Sequence, residues 1–142
     1  MTPDERRAVE WECTRLIHRY ANLTDVHDWD AIVALYTENG LMTRPTAPDV
    51  LILGRKALLD AFRSRPARTS QHVCANVVVD VESETEASAY SVILLFTGRE
   101  EAGGLPLKDE KSPLVGYYRD RFKLTKEGWR FSERRGALTF RP

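Results

Sequence analysis

Apolar residues recur every three or four positions early in the chain and every second position later on, so helices are expected first and strands afterwards. Thr2-Pro3-Asp4-Glu5 reads as a helix start, with Thr2 as cap, Pro3 in the first helical position and Glu5 closing a capping box. Val9, Cys13, Leu16, Ile17 and Tyr20 then form one apolar face, opposite arginine and glutamate. The pattern breaks at Asp25 to Asp28. Asp28 can cap a second helix whose buried stripe is Trp29, Ile32, Val33 and Tyr36, with Asn39-Gly40 as a left-handed end. Leu41-Met42-Thr43 and Val50-Leu51-Ile52-Leu53 read as brief strands joined by the turn-rich Pro45 to Pro48. Gly54-Arg55-Lys56 opens a third helix, with Leu58, Leu59 and Phe62 inward and Pro66 as its stop.

Everything after that reads as sheet. Ser70 to Val81, Ala87 to Gly98, Val115 to Leu124 and Trp129 to Phe140 are strand-like. Glu82 to Thr85 and Lys126 to Gly128 are hairpin turns. Glu100 to Pro113 is a long loop, a length that is often functional. This order predicts an α+β fold without βαβ units, its curved sheet enclosing a pocket, in one domain spanning 1–142.

Composition narrows the function classes. Lys plus Arg equals Asp plus Glu at 21 each, which argues against a broad electrostatic footprint for nucleic acid or an anionic membrane. It also suits self-association, since little charge keeps copies apart. No stretch approaches the roughly 20 apolar residues of a membrane helix, and the acidic N-terminus lacks a signal peptide's apolar core. Cys13 and Cys74 are too few and too far apart for a disulfide framework or zinc knuckle, so a reducing cytoplasm is expected.

The strand from Ser70 to Val79 carries the candidate chemistry. Alternation puts Gln71, Val73, Ala75, Val77 and Val79 on one face, expected against the helices. His72, Cys74, Asn76 and Val78 fall on the other, expected as a cavity wall because a plain core avoids an imidazole and an amide. The plainer alternative is a His and an Asn hydrogen-bonded to neighbouring strands. Asp25, taken alone, reads as a turn or cap residue, and His18, His27 and Asp28 as solvated positions. Tyr117 and Tyr118 face opposite sides, so one can offer its hydroxyl to the cavity. Arg119-Asp120-Arg121 and Glu133-Arg134-Arg135 read as exposed charge ladders, although alternation turns one of Arg134 and Arg135 inward, where it can hold an acidic ligand group. No metal-ligand spacing, glycine-rich phosphate loop or nucleophile elbow is present, so neither metal nor cofactor is expected.

Ile17-His18-Arg19-Tyr20-Ala21, then Asp25, then Asp28-Trp29-Asp30 resembles the opening of the nuclear transport factor 2-like superfamily, in particular its SnoaL-like branch. Arg68 to His72 before the valine strand, and Gly128-Trp129-Arg130 with Glu133-Arg134-Arg135, extend the resemblance over nearly the whole chain. It implies a cone-shaped α+β barrel: three N-terminal helices in a strongly curved, mostly antiparallel sheet, with a deep pocket, and dimers or higher homo-oligomers through the sheet. Members similar to scytalone dehydratase use an Asp–His pair whose positions fall on Asp25 and His72. This chain departs from that enzyme at Thr24, Arg44 and Thr97, where two pocket tyrosines and a second histidine would stand, so scytalone itself is not the expected substrate.

The resulting expectation is a cofactor-independent lyase or isomerase acting on a small, partly hydrophobic cyclic or carbonyl compound. His72 would be general base, since free imidazole titrates near ~6.5, and Asp25 would hold its tautomer. Asn76, Arg44, Tyr20, Thr97 and Tyr118 are the candidates for substrate binding. The alternative is a non-catalytic ligand-binding or assembly domain resembling the beta subunit of ring-hydroxylating dioxygenases.

Overall fold

The computed structural model describes residues 1–99, 103–108 and 112–142. The loop expected over 100–113 therefore lies partly outside the described residues.

Helix α1 (Pro3–Asp25) starts as its sequence dictates. The Thr2 hydroxyl accepts from the Glu5 N–H at 3.1 Å, and the Glu5 carboxylate accepts from the Thr2 N–H at 2.7 Å. Together they satisfy two donors that a helix N-terminus otherwise leaves open. Val9, Cys13, Ile17 and Tyr20 are buried, as their spacing requires. The chain then turns sharply at His27 (φ 59°), and Asp28 caps the short α2 (Trp29–Val33) through the Ala31 N–H.

That second helix is shorter than its pattern suggests. β1 (Tyr36–Arg44) already begins at Tyr36, so Asn39-Gly40 lies inside a strand and is not a helix cap. Long-range pairing overrides the local pattern: the Phe131 N–H donates to the Leu35 carbonyl at 2.8 Å, fastening the chain to β6 (Gly128–Leu138). The β1–β6 register then slips between Tyr36 and Leu41. At Gly40 the backbone passes so close to Tyr36 that a Cβ would lie 2.8 Å from that side chain.

β2 (Ala47–Leu53) returns along β1, and α3 (Arg55–Arg63) buries Leu58 and Phe62. β3 (Thr69–Val81), β4 (Glu86–Gly98), β5 (Leu114–Thr125) and β6 form an antiparallel meander. The sheet order is β2-β1-β6-β5-β4-β3, and among the described residues only the β1–β6 pair is parallel. Among the described residues, three helices on a six-stranded mixed sheet give the α+β fold that the sequence predicts. Ile17, Tyr20, Tyr36, Phe62, Phe122 and Phe131 are central to the buried core. Among the described residues no helix is long and apolar enough to cross a membrane.

The face assignment along β3 needs correction. Ala75 pairs with Val92 but Val78 pairs with Tyr90, so β3 carries one extra residue there, and Asn76 adopts φ 53°. Such a bulge reverses the alternation. Before it Ser70, His72 and Cys74 are sheltered; beyond it Val77, Val79 and Val81 take the inward positions. Gln71, Val73 and Ala75 are exposed, so they do not pack on the helices as alternation alone implies. The polar wall and the valine core thus share one face of the strand, and exposed Asn76 leaves the wall. Asparagine tolerates the left-handed region better than branched residues do. Asn76→Gly is expected to change stability little. Asn76→Val should cost about 1–2 kcal/mol in chemical denaturation, on the left-handed penalty for a residue with a Cβ.

Candidate active site

The bulge matters because it lets the first half of β3 present polar groups to the end of α1. Asp25 is the last residue of α1, and Ser70 and His72 share one face of β3. The carboxylate receives three donors: the Ser70 hydroxyl at 2.9 Å, the His72 backbone N–H at 2.8 Å and His72 Nδ1 at 2.6 Å. A carboxylate at a helix C-terminus sits at the negative end of the macrodipole, and these three bonds offset that cost. The two side chains are only 11% and 13% exposed for His72 and Asp25, which keeps the pair nearly dry. With Nδ1–H given to Asp25, the lone pair lies on Nε2. Hydrogen bonding thereby assigns the tautomer.

His72 borders a cavity of about 220 Å³ shared with Arg44, Arg65, Arg68 and Tyr118 and walled by Ile93, Leu95, Leu114 and Leu138. A smaller inner void of about 20 Å³, about room for one water, continues from it between His72, Cys74, Tyr20, Tyr118 and Arg134. Burial raises the pKa of the Cys74 thiol, so Cys74 itself adds no charge to this void. Larger, more open clefts occur elsewhere, one of about 390 Å³ beside Glu12, Arg15 and Trp129. The smaller cavity is the relevant one because it meets both the imidazole and a second polar cluster.

That cluster is built on Arg134, which is 1% exposed, whereas Arg135 is turned outward. Arg134 Nε donates to Asp120 at 3.1 Å across the β5–β6 ladder. Its guanidinium lies 3.8 Å from the ring centroid of Tyr118 and 4.3 Å from that of Tyr20. Burial works against the Arg134 charge, but Asp120 and the tyrosine oxygens outweigh it and raise the guanidinium's pKa. Burial pushes the Tyr118 phenol up to about 12 despite Arg134, so its hydroxyl remains a donor at neutral pH. Among the described residues Arg134 Nη2 is buried without a hydrogen-bond partner. The charge ladder expected on the surface is therefore split, with Asp120 and Arg134 forming a buried pair and Arg119, Arg121 and Arg135 outside.

The remaining positions singled out in the sequence fall in different places. Arg44 lines the cavity, and its Nη2 donates to the Ala61 carbonyl at 2.7 Å. Tyr20 borders the inner void, but its hydroxyl is engaged with the Tyr36 hydroxyl at 2.9 Å and Met42 Sδ at 3.5 Å. Thr97, paired with Ser70 across the strands, borders a separate cleft of about 640 Å³ on the far side of Asp25. Asn76 lines none of these spaces. Thr24 bonds back to the Tyr20 carbonyl at 2.8 Å within α1. The sequence pattern singles out neither Ser70 nor Arg65. Ser70 was signalled only by its i, i+2 relation to His72, and an arginine after a helix looks like surface. Among the described residues no cluster of three or more His, Cys, Asp or Glu is placed to hold a metal ion.

Comparison with known proteins adds a family. The family described as SnoaL-like domain matches residues 5–135. No curated protein sequence matches the chain. Among solved structures, a Novosphingobium aromaticivorans protein described provisionally as a scytalone dehydratase superposes with TM-score 0.82 at 22% identity, covering 98% of this chain and 89% of that one. A nuclear transport factor 2-like protein with a cystatin-like fold from the same organism gives 0.71 at 26% identity, covering 88% and 78%. A third, provisionally an aromatic ring hydroxylase, gives 0.77 at 17% identity, covering 99% and 94%.

Proposed function

Because the chain belongs to the SnoaL-like family of the nuclear transport factor 2-like superfamily, we propose that it is a lyase or isomerase that needs no cofactor and uses His72 as general base. The observation that carries this reading is the 2.6 Å contact between His72 Nδ1 and Asp25, with a cavity on the other side of the imidazole. Fold membership alone would not suffice, since one fold hosts many functions.

Nε2 of His72 would take a proton from carbon next to a carbonyl, while Asp25 holds the ring and stabilises the imidazolium. Negative charge then develops on the carbonyl oxygen. The Tyr118 hydroxyl and Arg134 Nη2 are the donors that can meet it, in a site dry enough for such bonds to be strong. The imidazolium returns its proton either to a leaving hydroxyl, which departs as water, or to another carbon. The first outcome is dehydration, the second isomerisation. The substrate is a small cyclic or carbonyl compound, matched to the leucine and isoleucine walls. Val73, Val78 and Tyr90 are exposed on the outer side of the sheet and support a homodimer through that face.

The test is a screen of cyclic hydroxy-ketones, polyketide-like phenols and steroid-like ketones against wild type and His72→Ala. Turnover in wild type that vanishes in His72→Ala supports the proposal. Full activity in His72→Ala or Asp25→Asn on the same substrate removes it.

A further inference from the structure

We infer that the cavity beside His72 carries a carboxylate-binding site formed by Arg44 and Arg65, so that the ligand is a small, mostly apolar carboxylic acid. As a statement about substrate, this rests on the dyad reading above; as a statement about binding, it stands on the arginines alone.

Arg44, Arg65 and Arg68 all line the space that His72 faces, and among the described residues lining it there is no aspartate or glutamate. Some arginines elsewhere are matched with acids, Arg63 with Asp30, Arg134 with Asp120 and Arg135 with Glu133, while others, such as Arg55 and Arg130, bond backbone carbonyls and line no part of this space. Among the described residues no carboxylate pairs with Arg44 or Arg65. Each is instead held by contacts that leave its charge uncompensated. Arg44 gives Nη2 to the Ala61 carbonyl, and its Nε is buried without a partner. Arg65 lies with its guanidinium 4.6 Å from the Phe62 centroid and 5.9 Å from that of Trp29, and Trp29 in turn stacks on Phe62 and His27. Stacking fixes the plane of a guanidinium while leaving its N–H edge for a planar acceptor.

Arg44 also feels the second cation. Burial, and then the proximity of Arg65, lower the Arg44 pKa. Two guanidiniums lining one part-buried space are costly unless an anion joins them. A carboxylate suits the pair because its two oxygens match the N–H fork of arginine and carry a single charge. Its apolar body would then lie along Ile93, Leu95 and Leu138, beside His72.

The experiment compares trans-cinnamate with trans-cinnamamide, which have nearly the same shape but differ in charge. Binding is measured by calorimetry to wild type, Arg44→Gln, Arg65→Gln and His72→Ala, each first checked for an unchanged thermal midpoint. Wild type is expected to bind the acid at least about tenfold more tightly than the amide, in line with the strength of charge-assisted bonds. The ratio should fall towards one in Arg65→Gln, fall in Arg44→Gln, and persist in His72→Ala. If Arg44→Gln shifts the midpoint because it loses the Ala61 contact, Arg65→Gln decides. Equal affinity of wild type for acid and amide, including none for either, overturns the inference. So does a preference that survives both arginine variants, or one that disappears with His72. Turnover surviving in His72→Ala would refute the general base yet leave this binding ratio as it is, so the two failures are distinguishable.

Discussion

Arg134→Met is expected to destabilise the protein by about 3–5 kcal/mol, the range for breaking a buried ion pair by removing one partner. Methionine keeps much of the length and apolar contact, so the loss reports on charge more than on volume. Asp120 is 2% exposed, and Arg134 Nε is its only partner among the described residues; its other oxygen is buried and unpartnered. Without Arg134 the carboxylate would be an uncompensated buried charge. Replacing both, as Arg134→Met with Asp120→Leu, should recover most of the loss, because a buried pair often contributes little beyond a well-packed apolar substitute. Urea unfolding with unchanged m-values measures both variants. A single variant as stable as wild type would contradict the pair's role.

The same pair predicts a pH dependence. Burial pushes the Asp120 carboxyl up to about 6, with Arg134 opposing. A carboxyl raised in the folded state takes its proton there at a higher pH than in the unfolded chain. Its protonation therefore favours folding at low pH, and that contribution is lost as pH rises through about 6. Removing Arg134 removes the opposing charge, so the deficit of Arg134→Met should be larger at pH 7 than at pH 5.

The largest effect on activity is expected at the dyad. His72→Ala should reduce kcat by about 10²–10⁴-fold, the usual contribution of a positioned general base. Asp25→Asn should cost as much, for a different reason. The amide group would donate to Nδ1 where the carboxylate accepts, so the ring would adopt the other tautomer and Nε2 would carry a hydrogen instead of a lone pair. Ser70→Ala removes one of three donors to Asp25 and is expected to have a much smaller effect, about tenfold or less, since two donors remain. Single-turnover kinetics on a substrate from the screen would separate these losses from changes in binding.

The degree to which the sequence forecasts this arrangement follows from how local each signal is. The capping box at Thr2 and Glu5, the α1 stripe and the strand positions are coded within a few residues, and the structure has them. His72 was legible as an inward polar group because alternation over Ser70 to Cys74 holds up to the bulge. The bulge is not: nothing in Ala75-Asn76-Val77 distinguishes an extra residue from ordinary pairing, so plain alternation puts Asn76 on the wall. Asp25 looked like a turn residue on local grounds. Its partner lies 47 positions away, and only the family resemblance joined them. Asp120 and Arg134 were hidden for a related reason, since alternating charges look the same on either face of a sheet, and only the packed core reveals which face is closed. The helical pattern runs past the true end of α2 because β6 captures Leu35, a contact that no local pattern encodes.

The most direct measurement is deuterium exchange, because proton abstraction need not await identification of the product. Ketones from the screen that bind the protein are incubated in D₂O, and loss of the proton next to the carbonyl is followed by nuclear magnetic resonance. The dyad predicts exchange catalysed by wild type, with its rate in His72→Ala and Asp25→Asn falling to that of the uncatalysed reaction. Exchange that continues at the wild-type rate in His72→Ala would show that another group takes the proton, and would contradict the assignment of His72 as the base.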